Sequence, residues 1–173
     1  KQLISLGRGL VREDVAAVLM DEPLTVIDPD LKFKLRRNLK EINEKYKTTL
    51  VYVTHDQNEA MTFADNIIVM SEGEVVQTGT PKELFERPKT TFVGYFIGSP
   101  AMNLFESETS SNNSIKINDT LIKTSTDLSK LKNNKVKLGI RSEFIKIAEN
   151  QKENVISVDV EKVEDLGNYK LLT

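Results

Sequence analysis

The sequence predicts an α/β fold followed by a small all-β domain, and three observations carry that prediction. Three short apolar runs, over residues 15–20, 50–53 and 67–70, are separated by segments with helical period or helical caps. The order strand, helix, strand, helix, strand calls for right-handed crossovers and therefore a parallel sheet. From Gly98 onward the helical period stops, and short strand-like runs alternate with Asn- and Lys-rich turns.

Taken in order, residues 2–12 set Leu3, Leu6 and Leu10 on one face at helical spacing, with neither a cap nor an initiating methionine ahead of them. That helix reads as one entered from sequence further upstream. The three apolar runs read as strands buried on both faces. Between the first two, Leu31, Leu35, Leu39, Ile42 and Tyr46 recur every three or four residues and predict an amphipathic helix over 30–46. Asp56-Gln57-Asn58-Glu59 has the form of a capping box and opens a short helix to about Ala64. Glu72-Gly73-Glu74 is a turn that returns the chain into 75–77, adding a hairpin at the sheet edge. Thr80-Pro81-Lys82-Glu83 combines a capping box with proline at the first helical position, so a helix runs to about Arg87. A second short helix is expected over 91–97. Gly98-Ser99-Pro100 is a breaker, and 107–114 is a polar stretch without apolar period. The domain boundary is therefore drawn there, giving domains of 1–100 and 101–173. In the second, residues 114–117, 135–140 and 155–163 read as strands.

Composition narrows the function. The chain has 173 residues, 39% hydrophobic and 29% charged, the profile of a folding globular chain rather than a disordered one. Lys and Arg number 24 against 26 Asp and Glu, so the general basic footprint of a nucleic-acid binder is missing and no nucleic-acid partner is expected. There is no cysteine, which excludes disulfides and thiolate metal sites within these residues. No apolar run approaches the roughly 20 residues that span a bilayer, so any membrane contact of these residues would go through a partner.

The chemistry concentrates at strand ends. The run that ends in Met20-Asp21-Glu22-Pro23 delivers two adjacent carboxylates to the C-terminal edge of a parallel sheet, where ligands of open α/β folds bind. One carboxylate can hold a hard divalent cation through water, and the other can orient or deprotonate the water that attacks a γ-phosphate. A solvated Asp-Glu pair is the plain alternative. The second run ends in Thr54-His55-Asp56, and His55 is the only histidine in the chain. At the same edge, its imidazole could reach a phosphate oxygen or the attacking water; alone it would read as a surface residue. Asp28-Pro29 reads first as an N-cap with proline behind it, which is compatible with a role in subunit contact. For Asp56 capping suffices.

These residues together resemble the ATPase subunits of ABC transporters. Asp21-Glu22-Pro23 resembles the Walker B motif with its following glutamate, Thr25-Val26-Ile27-Asp28 the D-loop, and Thr54-His55-Asp56 the switch histidine. The segment from Lys1 to Leu10 resembles the helix that follows the LSGGQ signature. Gly73-Glu74, Gly79-Thr80-Pro81, Phe85, Pro88 and the run Phe96 to Asn103 resemble the branch that imports sugars and glycerol phosphate. The resemblance implies a P-loop ATPase core, here partial, with ATP and Mg2+ as cofactors. It implies Asp21 as the magnesium ligand through water, Glu22 as the residue activating water, His55 as the γ-phosphate contact and Asp28 as a nucleotide-site contact across a subunit dimer. It also implies membrane permease subunits and a paired ATPase subunit as partners, and a cytoplasmic location on the inner face of the membrane.

The second domain adds Gly139-Ile140-Arg141-Ser142-Glu143, similar to the Gly-Ile-Arg-Pro-Glu element of the oligonucleotide-fold (TOBE/MOP) regulatory domain of this branch, with Ser142 in place of proline. Val163-Glu164-Asp165-Leu166-Gly167 is similar to a later part of it, and that domain is expected to be incomplete. The plain reading of Arg141 and Glu143 is an exposed cross-strand ion pair. The 173 residues contain no glycine-rich phosphate loop with Lys-Ser or Lys-Thr, no Q-loop and no signature. The expectation is thus an importer ATPase for sugars, polyols or glycerol phosphate, represented by a piece inactive alone. The alternative is a non-catalytic regulatory and dimerisation module.

Overall fold

The computed structural model describes residues 7, 15–25, 27–149, 153–167 and 169–173. Of the helix expected over 2–12, only Gly7, which is helical, falls among them. The chain forms two compact units, Lys1–Met102 and Asn103–Thr173.

In the first unit the described elements are β1 (Ala17–Asp21), α1 (Pro29–Tyr46), β2 (Thr49–Val53), α2 (Gln57–Phe63), β3 (Ile67–Ser71), β4 (Glu74–Gly79), α3 (Pro81–Glu86) and α4 (Thr91–Phe96). β1 and β2 pair in parallel from Ala17 opposite Thr49 to Asp21 opposite Val53. Both strands therefore end at one edge, as the crossover through α1 requires. α1 starts at the Asp28 cap and ends at Lys47, whose φ of 52° is left-handed and whose N–H reaches the Asn43 carbonyl. Its predicted apolar stripe is buried at its middle, where Leu39 is 2% exposed, and open at its ends, Leu31 and Tyr46.

The third predicted strand departs from expectation. β3 pairs antiparallel with β4 in a sheet of its own and does not extend the parallel pair. Glu72 and Gly73, both with positive φ, form a two-residue loop of the kind that matches the twist of a hairpin. Closing that two-residue loop costs little chain entropy, which favours the hairpin partner. The strands also are not buried on both faces. Met20, Ile67 and Val69 are buried, but Leu19 is 77% exposed, and Val51 and Ile68 are exposed as well. A sheet covered on one face alternates in this way.

The core of this unit is Ile67, Val69, Leu84, Val93 and Ile97, with Ala60, Met61, Ala64, Val76 and Phe85 packed around it. α3 is held by a full capping box: Thr80 Oγ1 accepts from the Glu83 N–H at 3.3 Å, and the Glu83 carboxylate accepts from the Thr80 N–H at 2.9 Å. The Thr80 N–H and the Thr80 hydroxyl, both donating to the Glu83 carboxylate, hold it below the usual carboxylate range. The predicted helices over 80–87 and 91–97 are both present.

The second unit is a four-stranded antiparallel sheet in the order β7-β6-β5-β8, built from β5 (Asn103–Ser111), β6 (Ser114–Ile117), β7 (Thr120–Lys123) and β8 (Lys135–Ile140). A short antiparallel pair, β9 (Val163–Asp165) and β10 (Lys170–Leu172), follows. Ile115, Ile117 and Ile122 form the core under Phe105, Leu128, Val136, Leu138 and Ile156. Three expectations are corrected here. The polar stretch over 107–114 is largely the second half of β5, because pairing with β8 up to Glu108 and with β6 from Glu108 to Ser111 satisfies its backbone without an apolar side-chain pattern. Residues 155–162 are not a strand, and regular pairing starts only at Val163. Arg141 is 3% exposed and lies past the end of β8, ahead of a 3-10 turn at Ser142–Phe144, so it is not half of an exposed cross-strand pair. Burial lowers its guanidinium from the ordinary range, with Glu143 acting in the opposite direction. At the position where the family element has proline, the Ser142 hydroxyl accepts from Asn103 Nδ2 at 3.0 Å.

Candidate functional site

The site begins with the register of two strands. Asp21 is opposite Val53 at the last rung, and the Glu22 N–H continues the ladder to the Val53 carbonyl at 2.9 Å. Glu22 and the loop carrying His55 therefore leave the sheet side by side. Their side chains meet: His55 Nδ1 lies 2.6 Å from Glu22 Oε1. An ionised carboxylate can only accept, so Nδ1 carries the proton of this bond and Nε2 is the ring atom left for another group.

Glu22 is held firmly for a residue at a surface edge. Its φ of 41° is left-handed, a conformation that costs a non-glycine residue free energy and that the surroundings must impose. Pro23 and the fully buried Leu24 follow, and Thr25 closes the turn through its N–H to the Glu22 carbonyl at 3.3 Å. Thr25 Oγ1 lies 3.1 Å both from that carbonyl and from Glu22 Oε2. Thus each carboxylate oxygen already has one donor, and two of its four lone-pair positions remain.

The electrostatics follow from these contacts. The hydrogen bond from His55, then that from Thr25, holds the Glu22 carboxyl below its ordinary range. The Glu22 carboxylate, by hydrogen bond and by charge, pushes the His55 imidazole up. The His55 and Glu22 side chains are 72% and 43% exposed, so the pair is open to a ligand and screened by water.

Asp21 ends β1 with its side chain exposed and, among the described residues, takes no hydrogen bond or ion pair. Magnesium keeps several waters and takes one or two carboxylates together with phosphate oxygens, and an exposed strand-end carboxylate fits that demand. No group of three or more potential ligands is clustered for a metal among the described residues. Asp28 stands apart from the other three as the N-cap of α1, its Oδ1 accepting from the Asp30 N–H at 3.0 Å. The structure thus brings Asp21, Glu22 and His55 to one edge and leaves Asp28 in a capping role.

One residue at this edge was misread from sequence. Asp56 caps α2 through the Asn58 and Glu59 N–H groups, but Glu59 does not complete a box by reaching back. Its side chain turns inward, is 4% exposed, and accepts from the Tyr52 hydroxyl at 2.9 Å and the Thr54 hydroxyl at 3.0 Å. The signal that could have found it is the pair of hydroxyls at Tyr52 and Thr54, either side of an apolar Val53, which need an acceptor once β2 is covered.

Comparison with known proteins bears on the β unit and on the chain as a whole. Residues 98–145 match the family model of the MalK OB fold domain. Over most of its length the chain is similar to import ATP-binding proteins. It is 41% identical over 172 residues, 99% of its own length, to the sn-glycerol-3-phosphate import ATP-binding protein UgpC of Psychromonas ingrahamii, of which it covers 44%. It is 46% identical over 123 residues, 71% of the chain, to the oligosaccharides import ATP-binding protein MsmX of Bacillus subtilis, covering 31% of that protein. With the UgpC of Brucella abortus it shares 50% identity over 107 residues, 62% of the chain and 30% of the relative. The chain thus spans less than half the length of the relatives it matches.

Proposed function

We propose that these residues are part of an ATP-hydrolysing subunit that energises a membrane importer of sugars, polyols or glycerol phosphate. The observation that carries the reading is the contact between Glu22 and His55 across two parallel strand ends, 2.6 Å between Nδ1 and Oε1. In this reading residues 1–100 belong to a P-loop ATPase core, and 101–173 to a regulatory domain of the oligonucleotide-binding fold. The parallel pairing of β1 with β2 supports the first assignment and the match over 98–145 supports the second. The substrate class and the membrane permease partner rest on what the relatives are named for.

Asp21 would help to hold Mg2+, and the ion would supply charge neutralisation for the phosphate oxygens. Glu22 orients the attacking water through its two remaining lone-pair positions. His55, fixed by Nδ1, presents Nε2 to the γ-phosphate. Asp28, at the start of α1, is the contact to the paired ATPase subunit. The remaining phosphate contacts come from residues outside these 173, whose sequence has no Lys-Ser or Lys-Thr phosphate loop.

Paired substitutions in the full ATP-hydrolysing protein test the assignment. Glu22→Gln should retain MgATP binding and lower turnover by about 10²–10⁴, the usual contribution of a positioned acid-base group. Asp21→Asn should weaken magnesium-dependent nucleotide binding first. Equal losses of binding and turnover in both variants would remove the division of labour.

A further inference from the structure

The turn that carries His55 is anchored from beneath by a carboxylate that the proposed reaction does not use. Glu59 of α2 is buried, at 3% exposure, and its two oxygens face two different elements. Oε2 accepts the hydroxyls of Tyr52, the penultimate residue of β2, and of Thr54, the residue before His55. Thr54 Oγ1 in turn accepts the Asp56 N–H at 3.0 Å, so the backbone on either side of His55 is tied to one carboxylate through one hydroxyl. Oε1 lies 3.5 Å from Lys32 Nζ and 3.7 Å from Arg36 Nη1, both on α1, and accepts no hydrogen bond among the described residues. Lys32 also stands in the first turn of α1, where its N–H bonds to the carbonyl of Asp28 at 2.8 Å.

We propose that Glu59 is a positioning residue that clamps the His55 turn to α1, so that the loop bearing His55 and the helix capped by Asp28 shift together. The arrangement is asymmetric in a useful way. Toward β2 the contacts are short, directional hydrogen bonds that fix the turn. Toward α1 they are longer charge contacts, which tolerate sliding while still opposing separation. Burial keeps water from competing for the carboxylate, which makes both sets of contacts stiffer than at the surface. Burial and the Glu59 carboxylate together push the Tyr52 phenol well above its ordinary range, so Tyr52 stays a donor. Tyr52 is further braced by Phe63, ring centroids 5.1 Å apart, at the C-terminal end of α2.

This inference rests on the proposed pairing of Glu22 with His55, and the test separates the two. The full ATP-hydrolysing protein carrying Glu59→Gln, Tyr52→Phe or Glu22→Gln is compared with its parent by turnover, by KM for MgATP, and by the ring NMR signals of His55. Glu59→Gln keeps an acceptor for the hydroxyls but loses the charge toward α1; Tyr52→Phe removes one hydroxyl tie and keeps the charge. Both should lower kcat by about threefold to thirtyfold with KM within about twofold, and both should shift the His55 signals toward those seen in Glu22→Gln. A lower melting temperature with kcat and the His55 signals unchanged would overturn the proposal and leave Glu59 as a packing residue. If Glu59→Gln does not fold, Tyr52→Phe alone decides by the same two readouts. If Glu22→Gln itself leaves the His55 signals in place, the Glu22 and His55 pairing fails instead.

Discussion

At the scale of single residues, the pairing of Glu22 with His55 sets a pH window. His55 is raised above its ordinary value near 6.5, so the pair's contribution to the folded state is present below that pH and is lost as pH rises through the raised value. Glu22 is lowered from near 4.5, so its contribution is present above that pH and is lost as pH falls through the lowered value. The contact is therefore fullest between about pH 4.5 and 6.5. Titration of the His55 ring by NMR should give a midpoint above 6.5, and Glu22→Gln should bring it back toward the ordinary value. A midpoint at or below 6.5 in the parent protein would mean that the contact does not persist in solution. Sequence alone marked Asp21, Glu22 and His55, because polar residues that end buried runs in parallel strands are forced to one edge. It did not mark Thr25 as a partner of Glu22, since that contact depends on the left-handed backbone at Glu22, which no side-chain pattern announces. Nor did it mark Glu59, whose spacing from Asp56 fits a capping box although its carboxylate goes elsewhere.

At the scale of elements, the difference between the two capped helices is instructive. Asp56 and Thr80 both stand three residues before a glutamate, but only Glu83 turns back to its cap. Among the described residues the Glu83 carboxylate accepts from Thr80, while the Glu59 carboxylate is taken by two part-buried hydroxyls, those of Tyr52 and Thr54. The box at Thr80 should then be a conventional stabiliser of α3, which packs the fully buried Leu84 into the core of its unit. Thr80→Ala should cost about 1 kcal/mol, the usual value of a lost N-cap, as a lower urea midpoint with an unchanged slope. A change below about 0.3 kcal/mol would show that packing alone holds α3. The strands tell the opposite story about legibility. Their positions in the apolar runs were readable, but the partner of β3 was not, because an apolar run looks alike whether it meets a parallel neighbour or a hairpin. β5 is not among the strands read from the sequence, since a strand whose backbone is satisfied by β8 along Asn103–Glu108 and by β6 from Glu108 to Ser111 needs no apolar alternation to form.

At the scale of the whole molecule, the question is whether control and chemistry are separable. The sequence drew its line at Pro100, where a breaker precedes a change of texture, and the compact units divide two residues later, after Met102. Asn103 already belongs to β5, and its neighbours through Glu108 pair with β8, so a cut after Phe105 would leave an unpaired strand stub. Shortening the full ATP-hydrolysing protein to end at Met102 avoids that. Every residue proposed to meet nucleotide, magnesium or water lies before that point: Asp21, Glu22, Asp28 and His55. So does Glu59, with all its partners. Steady-state ATP hydrolysis should therefore survive within about tenfold, because no proposed contact to the reacting groups has been removed. What should change is subunit pairing without nucleotide, measured by sedimentation. Loss of hydrolysis in a truncated protein that stays folded by circular dichroism and still binds ATP would mean that the β unit belongs to the catalytic assembly, and the division at Met102 would separate compact units without separating functions.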